Sequence, residues 1–120
     1  MSFSFIKSNG IKINLSEDDQ LKISSFDHIN MTINLNSVIA FDILKDNVLI
    51  GFAMLRDYGD GYFLWDYAID SYFQSKGFGT IALKELMVIL KENYGVNEIT
   101  TTYLYGNKRA KHVYEKLGFY

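Results

Sequence analysis

The chain contains no cysteine, which excludes disulfides, thiolate-held zinc or iron–sulfur centres and a catalytic thiol together. It also contains no proline, although ordinary usage of about 5% would give about six in a chain of this length. Nothing else in the sequence accounts for that second absence. No stretch approaches the roughly 20 apolar residues of a membrane span. The start, Met1-Ser2-Phe3-Ser4-Phe5-Ile6-Lys7, lacks the basic-then-apolar order of a signal peptide. A cytoplasmic protein without a membrane partner is expected. With a net charge of −2, no large basic surface points to nucleic acid as a partner. Repeats, low-complexity tracts and linkers are also missing, so residues 1–120 are expected to form a single domain.

What is present is a core-forming mixture, 48% hydrophobic and 22% charged, with nine Phe, nine Tyr and Trp65 to fill the interior. The charge is unevenly spread. Residues 1–70 carry ten acids against five bases, and residues 71–120 four acids against seven bases. The first part suits a cationic partner and the second an anionic one.

Ser16 followed by Glu17-Asp18-Asp19 marks a helix start, with a capping hydroxyl and acids facing the positive end of the dipole. That helix is expected to run to about His28 on a thin apolar face of Leu21, Ile23 and Phe26. Residues 37–45 and Val48 to Arg56 read as strands joined at Asp46-Asn47. Tyr62 to Ile69 follows the turn Tyr58-Gly59-Asp60-Gly61, giving an antiparallel meander whose third strand is aromatic on both faces. Thr80 to Tyr94 is a helix, with Ile81, Leu83, Leu86, Met87, Leu90 and Tyr94 at helical spacing and Gly95 as its stop. Glu98 to Leu104 reads as a strand, and Asn107 starts a last helix carrying Ala110, Val113, Tyr114 and Leu117. The unit 62–104 is then a βαβ crossover with parallel strands.

The segment between the third strand and the long helix, Asp70 to Thr80, is the most informative. Gly77 and Gly79 let the backbone approach a ligand, the helix start offers free N–H groups, and Lys76 adds a cation. Phosphate or pyrophosphate is the natural ligand; the alternative is a loop whose glycines only satisfy turn geometry. A Walker A loop would need a Gly-Lys-Ser/Thr ending, and none is present. Gly77-Phe78-Gly79-Thr80-Ile81-Ala82 formally matches a dinucleotide fingerprint. Seven residues separate it from Ile69, however, and the strands before it form a meander.

Gln74-x-x-Gly77-x-Gly79, after Ile69-Asp70 and before an amphipathic helix, resembles the pyrophosphate loop of the GNAT superfamily of N-acetyltransferases. About thirty residues later, Asn107 to Phe119 resembles that family's last core helix. The segments Trp65 to Asp70 and Gly51-Phe52-Ala53 are similar to its bacterial spermine/spermidine branch. The resemblance covers about residues 37–119. It implies an α/β fold, a mixed sheet made of an antiparallel meander plus one parallel βαβ crossover and flanked by helices. It also implies acetyl-CoA as co-substrate, no metal, and direct transfer of acetyl to a primary amine, possibly a polyamine. An acetyl-CoA-binding or protein-interaction module without turnover is the alternative.

Residue by residue, the resemblance implies that the backbone of Phe78, Gly79 and Thr80 binds pyrophosphate behind Gly77, with Gln74 and Lys76 alongside. Backbone groups at Ala68 and Ile69 would meet pantetheine and Asn107 would hydrogen-bond it. Tyr114 would protonate the leaving thiolate, and Asp66, which could face the acceptor cleft or solvent, is the candidate general base. For Tyr114 the plain alternative is a core aromatic, and for Asn107 a helix cap. His28 and His112 read as surface or packing residues, and Asp57 and Asp60 as turn acids that could also form an acidic mouth. Compared with the family pattern, the chain is expected to lack a strand before the first helix and another after Leu117-Gly118-Phe119. A homodimer is expected to complete the sheet. If Tyr114 is the acid, Tyr114→Phe should lower turnover while leaving acetyl-CoA affinity unchanged, as read by steady-state kinetics beside calorimetry.

Overall fold

A computed structural model describes residues 2–21, 23–59, 61–96 and 99–101. Its centre is a five-stranded sheet in the order β1-β2-β3-β4-β5, formed by β1 (Phe3–Lys7), β2 (Val38–Lys45), β3 (Val48–Asp57), β4 (Tyr62–Ile69) and β5 (Ile99–Thr101). The first four strands are antiparallel neighbours. β5 lies parallel to β4, with Tyr62 opposite Ile99, and α3 (Phe78–Tyr94) connects the two along the chain.

Side chains of β2 and β3 alternate between two buried layers, as the pleat requires. Phe41, Ile43, Ala53 and Leu55 pack with Ala82, Leu83, Leu86 and Leu90 of α3. Val38, Ala40, Phe52 and Met54 pack on the opposite face with Ile13, Ile29 and Ile33. The sheet is thus buried on both sides, by α3 on one and by residues 11–33 on the other. This explains why its central strands read as nearly continuous apolar runs.

β1 corrects the expectation that the first strand is missing. Phe3 pairs with Lys45 and Lys7 with Phe41, so an edge strand stands before the first helix. Phe3 and Phe5 pack against the α3-side core. The period-2 pattern is hard to read because Ile6, on the opposite side, is exposed.

The single helix expected from Ser16 to His28 is two helices, α1 (Glu17–Gln20) and α2 (Phe26–Thr32). Each has its own serine cap: Ser16 accepts from the Asp19 N–H, and Ser25 accepts from the His28 N–H. Ser24 breaks the helix because its N–H bonds to Asp66 Oδ1 at 2.7 Å instead of to a helical carbonyl. α3 begins two residues earlier than expected, on Gly77 at φ +82°, a conformation that glycine tolerates best. Its C-cap Gly95 lies at φ +65°. The last helix expected from Asn107 lies outside the described residues.

β4 carries a bulge. Asp66 pairs with Met54 and Leu64 with Leu55, which leaves Trp65 as an extra residue. Because side-chain direction alternates strictly, one inserted residue reverses the facing of everything after it. Leu64 and Tyr67 therefore both pack toward α3, whereas Trp65 and Ala68 face the α2 layer.

Glycine is needed at position 51. A Cβ there would stand 2.9 Å from both the Ala68 carbonyl oxygen and Ile69 Cδ1. Gly51→Ala should cost about 1–3 kcal/mol through forced displacement at the end of β4, measured as a lowered urea midpoint; an unchanged midpoint would contradict this packing.

Candidate functional site

The C-terminal end of β4 and the first turn of α3 meet through Asp70 and the loop after it. Asp70 caps the short turn Ser71–Phe73 by accepting from the Tyr72 N–H at 2.9 Å. Its second oxygen accepts from the Asn14 N–H at 2.9 Å, and its own N–H donates to the Ile50 carbonyl at 2.7 Å. Gln74 donates from its side-chain amide to the Ile69 carbonyl and to Asp19 Oδ2, both at 2.8 Å. Both amide hydrogens of Gln74 are thereby engaged, and this side chain ties the loop to the strand it has just left.

Beyond the loop, α3 starts without a side-chain cap. Its first turn closes with the Ile81 N–H donating to the Gly77 carbonyl at 3.3 Å. A helix leaves its leading N–H groups without intrahelical partners, here those of Phe78, Gly79 and Thr80. The space beside Gly77 is open, since a Cβ there would meet nothing within 4 Å. Seventeen residues of helix stand behind these amides, with the positive end of the dipole toward the loop. A diphosphate fits this donor set.

Two cations flank the turn. Lys76 Nζ lies 5.8 Å from the Tyr72 ring centroid. Lys45 Nζ lies 5.0 Å from the Phe78 ring centroid and 3.0 Å from Asp46 Oδ2. The turn itself is pinned to β4. The Tyr67 hydroxyl donates to the Gly79 carbonyl at 2.6 Å, and a Cβ on Gly79 would touch Ile69 Cγ1 at 3.4 Å. The predicted residues Ala68, Ile69, Gln74, Lys76, Gly77, Phe78, Gly79 and Thr80 thus share one end of the sheet, although Gln74 and the Ile69 carbonyl already bond to each other. Sequence reading missed Tyr67, Asp70 and Lys45 as parts of this arrangement. An aspartate two residues ahead of a backbone N–H is a capping signal, whereas Tyr67 reads only as a core aromatic.

Asp66 occupies the opposite face of β4 and is 2% exposed. Oδ1 holds the Ser24 N–H, while Oδ2 is buried without a hydrogen-bond partner. Burial pushes its carboxyl above the ordinary value, against the Ser24 hydrogen bond and the nearby His28, which pull it down. The His28 ring lies 5.9 Å from that of Trp65, so His28 packs as expected. Arg56 covers the other rings, 5.2 Å from the Trp65 centroid and 5.3 Å from that of Tyr58. Asp57 acts as a turn acid, accepting from the Gly59 N–H at 2.8 Å. Asp60, Asn107, His112 and Tyr114 lie outside the described residues. Among the described residues, no group of three or more His, Asp or Glu gathers where a metal could be held, and no helix is long and apolar enough to cross a membrane.

Residues 13–119 match the acetyltransferase (GNAT) family. No curated protein matches the chain. Among solved structures, it is similar to a GNAT family acetyltransferase from Elizabethkingia anophelis with acetyl-CoA bound. That match has 19% identity and a TM-score of 0.74, and covers 98% of this chain and 76% of the other. Spermidine N-acetyltransferase from Vibrio cholerae, in complex with CoA and spermine, has 18% identity and a TM-score of 0.71, covering 97% and 79%. The YycN protein of Bacillus subtilis has 17% identity and a TM-score of 0.67, with 78% of this chain covered, and this chain spans 62% of its length.

A buried carboxyl with a raised pKa favours the fold while protonated. That contribution is present below the unfolded value, ordinarily 3.8, and is lost as pH rises through the folded value. Asp66→Asn should therefore gain stability relative to the parent as pH rises above the ordinary carboxylate value of 3.8, measured by urea unfolding at successive pH values. Parallel curves for the two proteins would contradict the buried, unpaired carboxyl.

Proposed function

The chain belongs to the GNAT family of acetyltransferases, and from that premise we propose that it transfers acetyl from acetyl-CoA to a primary amine, with a polyamine as acceptor. Acetyl-CoA, the co-substrate of this family, supplies an activated thioester that an amine attacks directly, so the absence of cysteine removes nothing the reaction needs. The observation that carries the reading is the start of α3, which has no side-chain cap and is pinned to the end of β4 by Tyr67.

In this reading the N–H groups of Phe78, Gly79 and Thr80 hold the diphosphate, Lys76 and Lys45 add positive charge beside it, and Gln74 keeps the loop closed on Ile69. The backbone at Ala68 and Ile69 orients the pantetheine arm, and Asn107 assists. Holding both reactants in register is the larger part of the catalysis.

The remaining demand is a proton. An alkylammonium with a pKa of about 10 must lose one before attack, and we assign that step to Asp66. Its raised pKa makes it a stronger base than an ordinary aspartate. Because Asp66 is 2% exposed, an amine reaches it only when the connection carrying Ser24 moves aside. Tyr114 returns a proton to the departing sulfur, whose thiol has a pKa of roughly 8.5 and needs only modest help. The polyamine assignment rests on two supports: the acid-rich first part of the chain and the likeness to the Vibrio cholerae enzyme. A homodimer remains part of the proposal.

The burial of Asp66 favours a second reading, acetyl-CoA binding without turnover. A thiol-release assay with acetyl-CoA and a panel of amines, run beside calorimetry with acetyl-CoA, separates the two. Micromolar binding with thiol release that depends on spermidine or spermine is expected. Binding without release on any amine would leave only the second reading, and absence of binding would remove both.

A further inference from the structure

Tyr67 does more than fill the core between β4 and α3. Its hydroxyl donates to the Gly79 carbonyl at 2.6 Å, in the first turn of α3. The Gly79 carbonyl and the Thr80 N–H are the two ends of one planar peptide unit. A donor on the oxygen draws electron density through the amide resonance and makes the N–H at the other end more positive, strengthening it by about 10–30% as a donor. The same bond fixes the tilt of that peptide, because Tyr67 stands on a central strand opposite Ala53 and its ring packs against the α3-side core. On the other side a Cβ built on Gly79 would stand 3.4 Å from Ile69 Cγ1, so a side chain here would press on Ile69. The turn is therefore held from tilting away from β4 by Tyr67.

We infer that Tyr67 is a positioning residue for the anion held by α3, and through it sets the preference for an intact CoA thioester over the same thioester lacking the diphosphate. This rests on the reading above in which the first turn of α3 takes the diphosphate. The flanking lysines contribute charge without such precision, since Lys76 and Lys45 lie on aromatic rings at the ends of flexible side chains. Tyr67 instead acts from a strand whose facing is set by the Trp65 bulge. Without the extra residue, alternation would turn Tyr67 away from α3.

The test is calorimetric titration of the parent and Tyr67→Phe with acetyl-CoA and with S-acetylpantetheine, which has the thioester but neither the diphosphate nor the adenosine 3′-phosphate beyond it. The parent should bind acetyl-CoA more tightly than acetylpantetheine. The variant should lose about two- to fourfold in acetyl-CoA affinity, the scale of weakening one hydrogen bond to a charged group by 10–30%, and bind acetylpantetheine as the parent does. Equal losses for both ligands would reduce Tyr67 to a structural residue, and no loss for either would remove its role; both outcomes overturn the inference while the diphosphate reading stands. A parent that binds the two ligands equally would overturn the diphosphate reading itself. Should the variant not fold, the parent still decides: with inorganic pyrophosphate the Thr80 amide proton, whose peptide carries the Tyr67 bond, should move further downfield in a nitrogen–proton correlation spectrum than those of Phe78 and Gly79. An equal or smaller shift at Thr80 overturns the inference, and no shift at any of the three overturns the diphosphate reading.

Discussion

Both carboxylate oxygens of Asp70 accept backbone N–H groups, one from Asn14 and one from Tyr72, each at 2.9 Å. The candidate site depends on that pair of bonds. The chain has to leave β4, turn sharply and enter α3 with its first amides facing outward, and it makes this turn without proline. A carboxylate that accepts two backbone N–H groups is a charge-assisted clasp. With the Asp70 N–H on the Ile50 carbonyl, it joins the ends of β4 and β3 to the segment that leads into α1. Gln74 closes the same loop from the other side by bonding to the Ile69 carbonyl and to Asp19. The loop is therefore a braced connection, and the polar side chains that brace it are withdrawn from ligand duty.

The bulge at Trp65 supplies the second constraint. A regular strand would place Asp66 on the same face as Leu64, inside the aliphatic layer under α3, where a carboxylate finds no donor. The extra residue turns Asp66 to the α2 side, where the Ser24 N–H meets it at 2.7 Å, and sends Tyr67 back toward α3 to meet Gly79. One inserted residue therefore sets the environment of the candidate base and the support of the candidate anion site, on opposite faces of one strand. Asp66 is still only half satisfied, with Oδ2 buried and unpartnered. A buried polar atom of this kind is costly, and such cost is tolerated most readily where chemistry uses it.

Much of this was legible in the sequence, for identifiable reasons. α3 was readable because its apolar residues recur at helical spacing and Gly95 ends it; its true start was not, because the cap is Gly77 in a left-handed conformation with no side chain to announce it. The meander was readable from turn residues, and Asp46 and Asn47 do take positive φ. The break between α1 and α2 was hidden because the bond that causes it, Ser24 to Asp66, spans 42 positions. β1 was hidden because it is short and its outward Ile6 spoils the alternation. At the site, the glycines and Lys76 could be singled out by type, since anion binding by backbone has a composition. The role of Tyr67 could not, because it depends on a register shift that no local pattern encodes.

The uneven charge of the chain acquires a physical sense from this layout. The strand end, Lys45, Lys76 and the positive end of α3 gather on one side of β4, while Asp66 lies on the other face beneath Ser24 and close to His28. On the proposed reaction the two reactants carry opposite charge, a CoA diphosphate and an ammonium, and a single strand separates the fields that would attract them. Had both fields lain on one face, the carboxylate would weaken the anion site and the anion would raise the carboxyl pKa further. In that proposal, separation by the sheet lets one short strand serve two reactants of opposite sign, and the bulge places Asp66 and Tyr67 on opposite faces in consecutive residues.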